Sequence, residues 1–152
     1  MNEIDPVQAS DPHKLVEALM HSSKDLESQL DAVLGAAVGV SATKWYALHH
    51  LAEAGGQLPL GQLADRLSCV KSNATQLADR LKAEQLVRRV PDPQDRRVIL
   101  AELTSEGYQC YEAGLAVVQA FERELVGDFK EEERILLYKL LSRLGSFTSV
   151  IT

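Results

Sequence analysis

The chain has 152 residues, 45% of them hydrophobic and 25% charged, with nine Gly and five Pro, which suits one cooperative domain or two closely packed ones and excludes collagen-like, disordered and repeat-array chains. The net charge of −6 argues against nucleic acid only as a total. Residues 62–97 carry eight Lys/Arg against five Asp/Glu, so a basic middle sits between acidic ends.

Residues 1–11 show no periodicity and read as a loose arm without a basic or apolar leader, so no signal peptide is expected. A helical pattern starts at Asp11 or Pro12, with Leu15, Leu19, Leu26, Leu30, Val33 and Leu34 on its apolar stripe and Gly35 and Gly39 weakening its end. The longest uncharged stretch, Ala32–Thr43, is too short and too broken by glycine to span a bilayer, and a cytoplasmic location without membrane contact is expected. Ser41 is a suitable N-cap for a second helix bearing Trp45, Leu48, Leu51 and Ala52, which Gly55-Gly56 ends. After a short extended piece, Gln57–Pro59, residues 60–67 form a compact amphipathic helix. The tight connection Ser68-Cys69-Val70 then leads into a third helical pattern, Lys71 to about Glu84, as in a helix-turn-helix.

The period then changes. Leu86–Val90 and Val98–Leu103 are β-rich and flank the turn-forming, charged segment 91–97, which predicts a hairpin. Thr104 can cap the long helix that follows, whose seam is Tyr108, Tyr111, Leu115, Val118, Phe121 and Leu125. Gly127 stops it, and Asp128 with Glu131 resembles a capping box for a last helix with Leu137, Leu141, Leu144 and Phe147 on its stripe. The predicted fold class is mainly α with a small β-hairpin wing: a winged helix-turn-helix at 55–103 and a discontinuous helical dimerisation region at 12–54 and 104–150. The long amphipathic flanking helices need a surface to bury against, and a second subunit supplies one.

At 100° per residue, Ala74, Leu77, Ala78 and Leu81 share the inner face of the third helix. Ser72, Gln76, Asp79 and Ala83 lie opposite, flanked by Asn73, Thr75 and Arg80. Amides suit adenine edges in a major groove, and hydroxyls suit a thymine methyl or a phosphate. Asp79 would repel phosphate and is expected to pair with a neighbouring Arg. Arg96 and Arg97 at the hairpin tip suit a narrow minor groove, with Asp95 placed to hold the Arg97 guanidinium by a forked pair. An ordinary solvated helix face and a merely solubilising hairpin are the alternatives.

Five pieces in fixed order, Leu63–Leu67, Thr75–Leu81, Leu86–Arg89, Asp92–Arg97 and Leu103–Gly107, resemble the MarR family of transcriptional regulators. The resemblance implies a triangular homodimer with two winged helices on a pseudo-palindromic double-stranded operator. It places residues 72–80 in the major groove, Arg97 in the minor groove and Asp95 as its support. Two positions depart from the family pattern. Val70 stands where a small residue usually caps the recognition helix, and Pro59 stands where Ser or Thr usually caps the helix before it.

The implied activity is a repressor released by a small phenolic or lipophilic effector, in a cleft that Trp45 and His49 could line; Tyr46 and His50 share a second face, and Trp45 as plain core is the alternative. Cys69, in the turn before the recognition helix, could serve a redox-responsive regulator or could be a small core hydrophobe. Cys110 falls in a flanking helix, and the two cysteines form no framework. No metal site or cofactor is expected: His13 and His21 are about 12 Å apart along a helix, and no spacing resembles a structural zinc motif. No nucleophile–base pair, phosphate-binding glycine loop or carboxylate cluster points to an enzyme. A winged-helix partner-binding module without operator binding is the remaining alternative.

Overall fold

The computed structural model describes Pro6 and residues 10–147, and side chains as far as Leu144. Most of the arm expected over 1–11, and the Phe147 side chain of the last stripe, lie outside these. The chain divides into two compact units, Met1–Val117 and Val118–Thr152. In chain order the elements are α1 (Pro12–Val38), α2 (Ala42–Glu53), β1 (Gln57–Pro59), α3 (Leu60–Arg66), α4 (Lys71–Ala83), β2 (Val87–Pro91), β3 (Ile99–Leu103), α5 (Ser105–Leu125) and α6 (Glu131–Phe147). The fold is mainly helical with a small β wing. Among the described residues no helix is long and apolar enough to cross a membrane.

In the first unit, α1 begins where the Asp11 side chain accepts the His13 N–H at 2.9 Å, with Pro12 in the first turn. Gly35 stays within the helix, and Gly39 ends it at φ 75°. Asp31 of α1 accepts the Ala42 N–H at 2.6 Å, fixing the start of α2, and the Ser41 hydroxyl accepts from Lys44 N. At its far end Gly55 takes φ 84° while Gly56 N–H returns to Leu51 C=O at 2.8 Å, a left-handed cap suited to glycine.

The extended piece Gln57–Pro59 is a third strand. The antiparallel sheet runs β1-β3-β2, with Leu58 opposite Ala101 and Val90 opposite Leu100. Helix α3 ends with Ser68 at φ 52° and Cys69 N–H bonded to Ala64 C=O, so a non-glycine residue bears the left-handed turn of the helix-turn-helix. Neither Pro59 nor Val70 offers a side-chain cap to the helix that it precedes.

The core of this unit joins Leu34 of α1, Trp45, Leu48 and Leu51 of α2, Leu63 of α3, Leu81 of α4 and Val87 of β2, all fully buried. Each such burial contributes roughly 1.5–3 kcal/mol before entropy is counted. Among the described residues no polar or charged residue is buried. Helix α5 enters against this core through Thr104, whose hydroxyl donates to Gln85 C=O at 2.6 Å and accepts Gly107 N–H at 3.0 Å. Two glycines permit the approach. A Cβ on Gly107 would lie 2.1 Å from the Leu86 carbonyl oxygen, and one on Gly114 would lie 2.3 Å from Trp45 Nε1.

The second unit holds the end of α5 and all of α6. The capping box expected from Asp128 and Glu131 is not formed. Instead Glu133 accepts the Lys130 N–H at 2.8 Å, two residues further on, and Glu131, Glu132 and Glu133 crowd the first turn where the helix dipole favours anions. The Phe129–Val126 turn carries the chain past Gly127 and delays the start.

Gly107→Ala should destabilise the protein by about 1–3 kcal/mol, because the obstacle is backbone, whereas Gly35→Ala, with open space at its Cβ, should stabilise it by about 1 kcal/mol. Thermal melts of both variants check this. Equal shifts would contradict the close approach of α5 to Leu86.

Candidate nucleic-acid interface

Helix α4 is divided sharply by burial. Ala74, Leu77, Ala78 and Leu81 are buried against the unit, the face that helical spacing selects. Ser72, Asn73, Gln76 and Arg80 are exposed, and Thr75 is half-buried. The Thr75 hydroxyl donates to Lys71 C=O at 2.9 Å, which leaves its oxygen lone pair and methyl for an outside contact. Asn73, Gln76 and Arg80 also line a cleft of about 240 Å³ with Thr43, Leu67, Cys69 and Leu77.

Two ion pairs frame the helix. Asp79 pairs with Arg89 of β2 at 2.7 Å, and Glu84, just past the C-terminus of α4, pairs with Lys44 of α2. Both are partly solvated and worth about 1 kcal/mol or less. The Asp79–Arg89 pair removes a carboxylate's repulsion from the exposed face. Sequence reading anticipated an Arg partner for Asp79 but could not choose Arg89, because the choice depends on the strand's register.

The wing tip is built from two side-chain turns. Asp92 accepts Gln94 N–H at 2.8 Å, and Asp95 accepts Arg97 N–H at 3.0 Å. Backbone bonds Asp92 N–H to Val98 C=O and Val98 N–H to Asp95 C=O, both 2.9 Å, close the loop. The forked Asp95–Arg97 pair expected from sequence is not formed: Arg97 Nε stands 3.4 Å from the carboxylate, and the Arg97 side chain is 94% exposed. Asp95 therefore holds the backbone of Arg97 and makes only a single-point ion pair with its Nε, while the side chain projects into solvent. Arg96 is exposed beside it. Below the tip, Arg88 and Glu102 face each other across β2 and β3 and form an ion pair.

A short helix, a four-residue turn, a second helix with a polar outer face and a hairpin tipped by two exposed arginines are thus assembled in one unit. Residues 38–98 match the MarR family. The chain resembles that family over this segment. It is 33% identical over 89 residues to the HTH-type transcriptional regulator YsmB of Bacillus subtilis strain 168, a match covering 59% of this chain and 61% of that protein. It is 32% identical over 90 residues to the HTH-type transcriptional repressor MdtR of the same organism, covering 59% and 58%. The matches thus span about three fifths of these curated relatives. Among solved structures, Sco3205 of Streptomyces coelicolor, a MarR family transcriptional regulator in complex with DNA, superposes with a TM-score of 0.80. It shares 25% identity over 86% of this chain and 83% of its own.

Elsewhere in the chain, Trp45 is 1% exposed and donates Nε1–H to Tyr111 C=O at 3.2 Å. Its ring stacks on His49 at 5.2 Å, and Tyr111 lies 5.8 Å away. Burial, reinforced by the charges of His49 and Arg66 against the opposing Glu53, holds the His50 pKa below the usual imidazole value. Folding therefore favours neutral His50, and that contribution to stability is lost as pH falls below the ordinary histidine range. Cys69 is half-buried in the cleft beside α4. Burial and then Glu84 push the Cys110 thiol up.

Asp95→Ala should release the Arg97 amide and speed its hydrogen exchange, at about 0.5–1.5 kcal/mol for the lost bond, with little change in the melting temperature. Unchanged exchange at residues 94–98 would contradict the carboxylate's role in shaping the tip.

Proposed function

We propose that the chain is a homodimeric, sequence-specific DNA-binding regulator of transcription, acting as a repressor that a small phenolic or lipophilic effector releases. The carrying observation is the division of α4, whose outer face offers Ser72, Asn73, Gln76 and Arg80 while the wing of the same unit presents Arg96 and Arg97 unpaired with any carboxylate by a forked contact. Gln76 and Asn73 suit adenine in a major groove, and Arg80 suits guanine or a phosphate. Arg97 suits the negative potential of a narrow minor groove, with Asp95 as its backbone support. The DNA complex of Sco3205 supports the reading, and the repressor MdtR supports the sign of regulation.

Dimerisation is supported by apolar surface. Leu15, Val16, Leu19 and Met20 of α1 are exposed in one unit, and Leu136, Leu137, Leu141 and Leu144 of α6 are exposed in the other. Surface of this kind at helical spacing needs a partner. For the effector, the reading uses the His49 edge of the Trp45 face. Trp45 itself is sealed, so a ligand would meet His49 and Tyr111 before the indole. A second reading, redox control through Cys69, draws on the shared cleft of Cys69 with Asn73, Gln76 and Arg80. It requires peroxide to change the duplex affinity of the parent and not of Cys69→Ser.

In fluorescence anisotropy on the duplex upstream of the chain's own coding region, binding should fall steeply with salt. Gln76→Ala should cost about 1–3 kcal/mol and relax preference at one base pair. Arg97→Ala should weaken binding chiefly where A·T-rich flanks are present. Salt-insensitive binding, or Arg97→Ala matching the parent on every flank, would contradict the reading. Mass measurement in solution should give twice the chain mass, and a stable monomer would contradict the use of the apolar faces of α1 and α6.

A further inference from the structure

The last turn of α2 gathers His49, His50 and Glu53. One ligand atom from each lies within 4.8 Å of the others, which makes them the one group of three possible metal-ligating side chains among the described residues. Glu53 Oε2 stands 3.4 Å from His49 Nε2 and 3.9 Å from His50 Nδ1. The spacing follows from the helix, since positions three and four apart share a face and Glu53 stands three from His50 and four from His49. The two histidines are adjacent in sequence, so the set has none of the loop spacing that marks a structural zinc motif.

We propose that His49, His50 and Glu53 bind one divalent transition-metal ion of borderline softness, with Zn2+ as the best-suited occupant. Two imidazoles and a carboxylate match the nitrogen and oxygen preference of zinc and not the all-oxygen preference of calcium or magnesium. Tetrahedral bonds of about 2.0–2.1 Å put donor atoms roughly 3.3 Å apart. The His49–Glu53 separation of 3.4 Å already meets that value, and the 3.9 Å from His50 to Glu53 has to close a little. Three protein ligands leave the fourth position to water.

The ring of His49 is oriented in advance. It stacks on Trp45, with interplanar angle 12°, and leans on Tyr111 at 5.9 Å. Its Nδ1 is buried with no hydrogen-bond partner, so Nε2 is the nitrogen directed outward at Glu53. His50 is partly buried beside it. Of the groups around it, Arg66 opposes a second cation and the Glu53 carboxylate offsets it. The site does not rest on the DNA contacts, and it shares His49 with the proposed effector face.

The test uses the full chain freed of metal by chelation and titrated with Co2+, whose visible bands report coordination, followed by displacement with Zn2+. One ion per chain is expected. His50→Gln and Glu53→Gln should each weaken binding by more than the roughly tenfold that loss of an outer-shell partner costs. The double variant His13→Gln/His21→Gln, altered on α1, should bind like the parent. Absence of Co2+ bands in the parent, or equal affinity in Glu53→Gln, overturns the proposal. A second measurement needs no variant: Zn2+ should shift the imidazole resonances of His49 and His50 and leave those of His13 and His21. Equal shifts at all four, or none, would also overturn it.

Discussion

The rotational setting of α4 decides what the protein can present, and burial sets it. Ala74, Leu77, Ala78 and Leu81 are at or below 9% exposed, and the two leucines alone account for roughly 1.5–3 kcal/mol each of burial. Turning the helix by one residue would expose Ala74 and Leu81 and drive Asn73, Gln76 and Arg80, or Thr75, Asp79 and Lys82, inward, where each unpaired polar group costs about 1–3 kcal/mol. The Asp79–Arg89 pair points the same way but is worth at most about 1 kcal/mol at its exposure. Packing therefore fixes the helix, and the ion pair trims its charge. The small residues Ala74 and Ala78 let α4 lie close to its support, so the outer polar row becomes a defined surface.

The wing depends on that setting at one remove. Gln85, left-handed at φ 63°, turns the chain from α4 into β2, and its carbonyl takes the Thr104 hydroxyl that starts α5. Helix, hairpin and long helix meet within a few residues, closed by Gly107 against the Leu86 carbonyl. A shift of α4 would be felt at the base of the wing and at the entry to α5. This shared junction is a physical route by which a change near α2 or α5 could reach the exposed face.

Much of this was legible in the sequence because it rests on periodicity. The buried face of α4 follows from a 3.6-residue repeat, the hairpin from β-rich segments around a turn-forming cluster, and the Ser41 and Thr104 caps from residue type. What periodicity does not encode was not legible. The register of β2 chose Arg89 as the partner of Asp79. The Asx geometry of the tip gave the Asp95 carboxylate chiefly to the Arg97 backbone and left a single 3.4 Å contact to its guanidinium in place of a fork. A turn through Phe129 moved the α6 cap from Asp128 to Lys130 and Glu133. His49, His50 and Glu53 escaped a search for loop-spaced ligands because their proximity is a property of one helical turn.

In the proposed function the polar row of α4 and the wing arginines act together on duplex DNA in a symmetric pair. Selection from a random duplex library with the full chain tests it most directly. The account predicts enrichment of an inverted repeat whose half-site centres lie about one helical turn, or a small multiple of it, apart, with A·T-rich flanks. A selected pool indistinguishable from the input library would contradict it.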